Sequence, residues 1–198
     1  MTYLNLNRLD VQNNKINMIG IDSLKNLFNL ALLNLTNNWI HAIEDNSFQD
    51  LNKLDPFYLS QNYLTNLTKS SFAGLKSLLV LYLKSNQLKS LDEYHFKSMD
   101  NLNTLDLSYN LISFIKRETF YDLKNLKNVY LNNNFLKELD EHTFLLQKNL
   151  NVFTAANNHI VRISDTMFVN ASLQKPDLRS NEIVSIDFRN YTNRLVTK

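Results

Sequence analysis

The chain has 198 residues, with 21 Lys and Arg against 19 Asp and Glu and a formal net charge of +2. A balance this close to neutral gives no reason to invoke a nucleic acid or an anionic membrane surface as partner. It has no cysteine, which removes both a disulfide framework and a cysteine-type zinc site, and no stretch approaches the roughly 18 uninterrupted apolar residues of a membrane-spanning helix.

The N-terminal stretch MTYLNLNRLD runs straight into a periodic pattern, with no basic flank and apolar run of signal-peptide form. The pattern is clearest at 102–126, where Leu102, Leu105, Leu107, Asn110, Ile112, Ile115, Phe120 and Leu123 spell L-x-x-L-x-L-x-x-N-x-L, then an apolar residue, then F-x-x-L. Steps of 24 residues from Asn14 reach Asn38, Asn62, Asn86, Asn110, Asn134 and Asn158, and a step of 23 reaches Asn181. A fixed period in this range marks a solenoid, whose units bury their apolar sides only by stacking. The expectation is one domain, 1–198, of eight units.

Each unit opens with alternating residues, the pattern of a short strand with two faces. In the second unit Leu33 and Leu35 point inward and Leu32, Asn34 and Thr36 outward. Units of equal length place successive strands side by side and parallel. At about 4.8 Å per strand, eight strands line a concave surface of about 35 Å. The asparagine ends the strand, and its amide is expected to satisfy backbone groups that the turn leaves inside. Ten residues after each asparagine come Phe48, Phe72, Phe96, Phe120, Phe144 and Phe168, with Leu24 and Tyr191 in that place in the first and last units. They are expected to stack as a spine behind the sheet. Aspartates such as Asp92 and Asp140 stand where a carboxylate accepts backbone N–H groups at a turn, so the return path reads as irregular, 3₁₀ or short helical turns.

The irregularities cluster late. Pro56 stands at the first position of the third strand, where a missing N–H is tolerated. Pro176 replaces the inward Leu of the eighth strand, and Gln147 and Ala155 replace inward leucines. The C-terminal quarter is expected to be looser. Four basic residues there, Arg179, Arg189, Arg194 and Lys198, read as a solvated end.

This pattern resembles that of leucine-rich repeat proteins, more narrowly the 24-residue form seen in ectodomains of the Toll-like receptor, Slit and small-proteoglycan type. The resemblance covers about Leu4 to Tyr191. It implies an α/β repeat solenoid, a horseshoe with a parallel β-sheet on the concave face and irregular turns on the convex face. It also implies a non-enzymatic module that recognises a protein ligand or co-receptor, as part of a secreted or cell-surface protein. The cysteine-rich caps usual in secreted arrays of this kind are missing, so the chain is expected to be either a piece of a longer protein or an uncapped array. An intracellular, cytoplasmic scaffold or assembly protein is the alternative, and end-to-end self-association through uncapped units is a third reading.

No catalytic or metal-binding constellation emerges, and no cofactor is implied. His41, His95, His142 and His159 fall at different places in separate units, without partners at ligand spacing, and are expected at the surface. Sequons occur at Asn34, Asn66, Asn170 and Asn190. With 31 Asn and 26 Ser or Thr, about four are expected by chance, so their number decides nothing. A glycan on Asn34 would block part of the concave sheet, whereas Asn66 and Asn170 lie on the return path.

Outward strand residues are free of packing duty. The middle outward column reads Asp10, Asn34, Tyr58, Tyr82, Asp106, Tyr130, Thr154 and Asp177. The column before it reads Arg8, Leu32, Pro56, Val80, Thr104, Asn128, Val152 and Lys175. Leu32, Pro56, Tyr58, Val80 and Tyr82 form an apolar and aromatic patch, with Asp106, Tyr109 and Tyr130 beyond it. Tyrosine on a rigid sheet is typical of interface hot spots; it is also a good strand residue that pairs across neighbours. Both readings stand from sequence. Lys84, between Tyr58 and Tyr82, is either a rim charge or a cation resting on aromatic faces.

Overall fold

The computed structural model describes residues 5–97, 99–173 and 176–187. Seven short strands form one parallel sheet, in the order Arg8–Asp10, Leu32–Asn34, Phe57–Tyr58, Val80–Tyr82, Thr104–Asp106, Asn128–Tyr130 and Val152–Thr154. A parallel bridge from Thr154 to Asp177 extends the same ladder. Every neighbour in the sheet is the next coil of the chain, so the molecule is a solenoid. Three further two-stranded parallel ladders, such as Ser90–Leu91 beside Phe114–Ile115, form on the return path. Among the described residues one 3₁₀ turn, Asp165–Phe168, completes the regular structure, with the Ser164 hydroxyl accepting the Thr166 N–H.

Inside each coil the alternation predicted for the strands holds. Leu33, Leu81 and Leu105 are fully buried, and Phe57 and Phe153 fill the same slot. Behind them Phe48, Phe72, Phe96, Phe120, Phe144 and Phe168 stack in file, with ring centroids 5.1–6.4 Å apart and planes within 17°. Phe57 and Phe153 meet this file edge-on at 5.1 and 5.2 Å, a favoured aromatic geometry.

The asparagines join the coils. Asn110 Nδ2 donates to the Leu107 carbonyl of its own coil and the Leu83 carbonyl of the preceding one, both at 3.0 Å. Its Oδ1 accepts the Leu88 N–H of the preceding coil at 3.1 Å. Asn38, Asn62, Asn86, Asn134 and Asn158 repeat this arrangement, all buried. Asn14, in the first described coil, is exposed, and among the described residues its Nδ2 donates to the Val11 and Gln12 carbonyls of its own coil.

Several expectations are corrected. The third strand begins at Phe57; Pro56 precedes it after a cis peptide bond. Proline has no N–H for the ladder, and the Asp55 carboxylate there takes the Leu79 and Val80 N–H groups that backbone carbonyls accept in other coils. At Asp92 the turn is inverted: His95 Nδ1 accepts the Asp92 N–H at 3.1 Å. At Asp140 the predicted bond forms, Oδ1 accepting the His142 N–H at 2.8 Å. His95 is therefore not a surface histidine; it is buried, in the slot that Ser47, Ser71, Thr119 and Thr143 occupy in other coils. Gln147, also fully buried, donates from Nε2 to the Phe120 carbonyl at 2.7 Å. Pro176 is exposed. Lys175, Arg189, Asn190, Tyr191, Arg194 and Lys198 lie outside the described residues.

Candidate functional site

The middle outward column is placed by strand register. Asp10 pairs with Asn34, Asn34 with Tyr58, Tyr58 with Tyr82, Tyr82 with Asp106, Asp106 with Tyr130, and Tyr130 with Thr154. Leu32, Pro56, Val80 and Thr104 flank it, half-buried. The strands have no freedom to turn these side chains away, because a shift of one residue would drive the buried leucines into water.

Tyr58 and Tyr82 stack with ring centroids 5.0 Å apart and planes 9° from parallel. Burial, followed by repulsion from the ionised forms of Tyr58, Asp106, Tyr130 and Asp55, raises the Tyr82 hydroxyl above the usual phenol range. Tyr109 is 52% exposed with φ of 57°, and it stands apart from the stacked pair. Lys84 is found over Tyr109, its Nζ 5.1 Å from the ring centroid; the Tyr58 and Tyr82 faces are partly used by each other. Beyond the pair, Tyr82, Lys84, Asp106, Tyr109, Tyr130 and Asn132 border an open depression of about 480 Å³. The structure thus brings Tyr58, Tyr82, Asp106 and Tyr130 into one row, with Leu32, Pro56 and Val80 along its edge.

Among the sequons, Asn34 lies on the sheet and its Oδ1 accepts the Thr36 N–H at 3.1 Å. Asn66 is exposed. The Asn170 amide nitrogen is engaged, donating to the Leu145 carbonyl at 2.9 Å.

Sequence reasoning missed a second exposed row. The residue after each coil asparagine points outward along one flank, and Trp39, Tyr63, Leu111 and Phe135 are each 40–50% exposed there. Their backbones are fixed by N–H bonds to the preceding coil, such as Trp39 to Ile16 at 2.9 Å. Lys15 lies 5.4 Å over the Trp39 ring, and Phe135 stacks on His159 at 5.9 Å. The signal was in the sequence: a column with no packing duty that nevertheless holds three aromatic residues.

The leucine rich repeat family model matches residues 5–64, 56–112, 81–134 and 100–153. The chain belongs to the leucine-rich repeat family. Proteins of this family are generally non-enzymatic binding scaffolds, and the fold is a common protein–protein interaction module. Among solved structures, 92% of the chain superposes on 47% of the APL1 leucine-rich repeat domain, with TM-score 0.79 and 24% identity. A leucine-rich repeat protein of Leptospira interrogans gives TM-score 0.79 and 25% identity over 91% of this chain and 45% of its own. TLR13, in the TLR13–ssRNA13 complex, gives TM-score 0.67 and 22% identity over 84% of this chain and 28% of its own. The chain thus spans less than half the length of each of these structures. Comparison with curated protein sequences finds no match.

Proposed function

We propose that the chain is a non-enzymatic recognition module of one eight-unit domain that binds a protein partner on its concave face, through Leu32, Pro56, Tyr58, Val80, Tyr82, Asp106, Tyr109 and Tyr130. The observation that carries this reading is the stacked Tyr58–Tyr82 pair, held half-exposed on a sheet whose register cannot slip. Such side chains offer large contact area at small entropic cost. The phenylalanine form of the repeat favours a secreted or cell-surface protein over an intracellular scaffold. In that setting Asn66 is the sequon best placed to carry a glycan, and a glycan on Asn34 would mask the second coil.

The test is a display-library selection against the immobilised protein, followed by titration of the selected binders. Tyr58→Ala with Tyr82→Ala should weaken binding more than tenfold, since hot-spot residues contribute at least about 2 kcal/mol each, while the circular dichroism spectrum stays unchanged. A second reading rests on the flank row. If Trp39→Ala with Phe135→Ala abolishes binding and the tyrosine variant does not, the partner sits on the flank and the concave assignment is wrong.

A further inference from the structure

Asp106 carries a charge that the fold does not use. Its Oδ1 accepts the Ser108 N–H at 2.9 Å and so closes the turn at the end of the strand. The same bond is made three coils earlier in the same column by a neutral residue, the Asn34 Oδ1 accepting the Thr36 N–H. An amide therefore suffices for the turn. At Asp177, in the same column, the carboxylate has its own cation: Arg179 reaches it with Nε and Nη2, both at 2.8 Å. Among the described residues no Lys, Arg or His nitrogen lies within 4 Å of the Asp106 carboxylate. Lys84, which borders the same depression, is seated on Tyr109 instead.

The two strand neighbours of Asp106 are Tyr82 and Tyr130. Two strand spacings, about 10 Å, separate the backbones that carry them. A planar cation bound at the carboxylate would therefore have a tyrosine on the strand at either side. Aromatic faces attract cations through the ring quadrupole, more strongly when the site is partly desolvated. Among protein side chains arginine suits this geometry best, being planar, always charged and able both to stack on an aromatic ring and to donate two parallel bonds to a carboxylate. Of the groups that help raise the Tyr82 hydroxyl after burial, Asp106 and Asp55 are the ones charged at neutral pH, and both favour a cation here.

We propose that Asp106, between Tyr82 and Tyr130, is the seat for an arginine guanidinium presented by the protein partner. This rests on the concave-face reading above and names the chemistry that the partner must bring.

The test uses two small probes on the whole chain, N-acetyl-arginine methylamide and its neutral citrulline counterpart, read by NMR at the Ser108 amide and the Tyr82 and Tyr130 ring protons. Arginine should shift these signals saturably and citrulline should not. Asp106→Asn keeps an acceptor for the Ser108 N–H, so it should fold normally and bind the arginine probe at least tenfold more weakly. Lys84→Met removes the nearest competing cation and should tighten binding severalfold. Equal shifts with arginine and citrulline, or an unchanged affinity in Asp106→Asn, would overturn the assignment. Either result can coexist with loss of selected binders in the Tyr58 and Tyr82 double variant. The arginine seat then falls while the concave face stands.

Discussion

Two sets of residues recur once per coil and do opposite things. From Asn38 to Asn158 and from Phe48 to Phe168, the asparagine and phenylalanine files hold one residue type from coil to coil and are buried. The middle outward column, four positions before each asparagine, changes from Asp to Asn to Tyr to Thr along the same array. A coil's interior is constrained by the coils on both sides, so a change there must be matched twice. A concave side chain meets only water and its neighbours' tips. Uniformity within the repeat therefore marks packing duty, and variety marks the surface that is free of it.

The largest effect that should sharpen this contrast is in the phenylalanine file. Phe120→Ala leaves a hole between Phe96 and Phe144, and a loss of about 3–5 kcal/mol is expected, measured by urea unfolding. A loss below about 1 kcal/mol would mean the file is not a continuous core. Next, Asn110→Ala strips partners from buried backbone groups in two coils, at about 1–3 kcal/mol for each group left unpaired. The same change at exposed Asn14 should cost well under 1 kcal/mol, about the value for an exposed site.

His95 supplies a pH-dependent version of the interior. Burial holds its imidazole below the ordinary histidine range, opposed by Asp92 and Glu93 and reinforced by Lys116, and protonation would destroy the acceptor that holds the Asp92 N–H. A depressed folded-state value means that its stabilising contribution is complete above about pH 6.5, the ordinary histidine value. That contribution is lost as pH falls through the folded value. The wild type should therefore lose stability between pH 7 and 5, about as one titrating group allows, and His95→Ser should flatten that stretch of the curve. Identical curves would place His95 outside the interior. On the concave face only a small stability change is expected from Tyr58→Ala with Tyr82→Ala, about 1 kcal/mol for a stacked pair. A loss as large as that of Phe120→Ala would erase the distinction between the two sets.

The 24-residue step was enough to read the parallel sheet, the inward leucines, the phenylalanine file and the outward columns, because all of these follow from strand alternation and stacking alone. What register cannot supply is the direction a long side chain takes once its backbone is placed. For Lys84, between Tyr58 and Tyr82, the sequence leaves open a rim charge or a cation on an aromatic face; it rests on Tyr109, which sits at a positive-φ corner with its ring open to solvent. His95 was misread for another reason: histidine is polar by composition, and only its alignment with Ser47, Ser71, Thr119 and Thr143 reveals a hydrogen-bonding slot. The coil that is one residue short keeps its clamp. Asn181 Oδ1 accepts the Ile160 N–H at 3.0 Å across 21 residues, where the full-length coils span 22, so the shortening is taken up on the return path and leaves the joint intact.

The asparagine joint also sets how such a chain can change length. Each asparagine from Asn38 to Asn158 reaches back 27 residues to a carbonyl and takes an N–H 22 residues back, as Asn134 does with Leu107 and Ile112. Cutting out 87–110 would bring Leu83 to the distance along the chain that Leu107 now has from Asn134. That carbonyl already accepts the same bond from Asn110. Whole coils can therefore be spliced in or out like links, lengthening or shortening the outward row by about 4.8 Å per link, with no other joint redesigned.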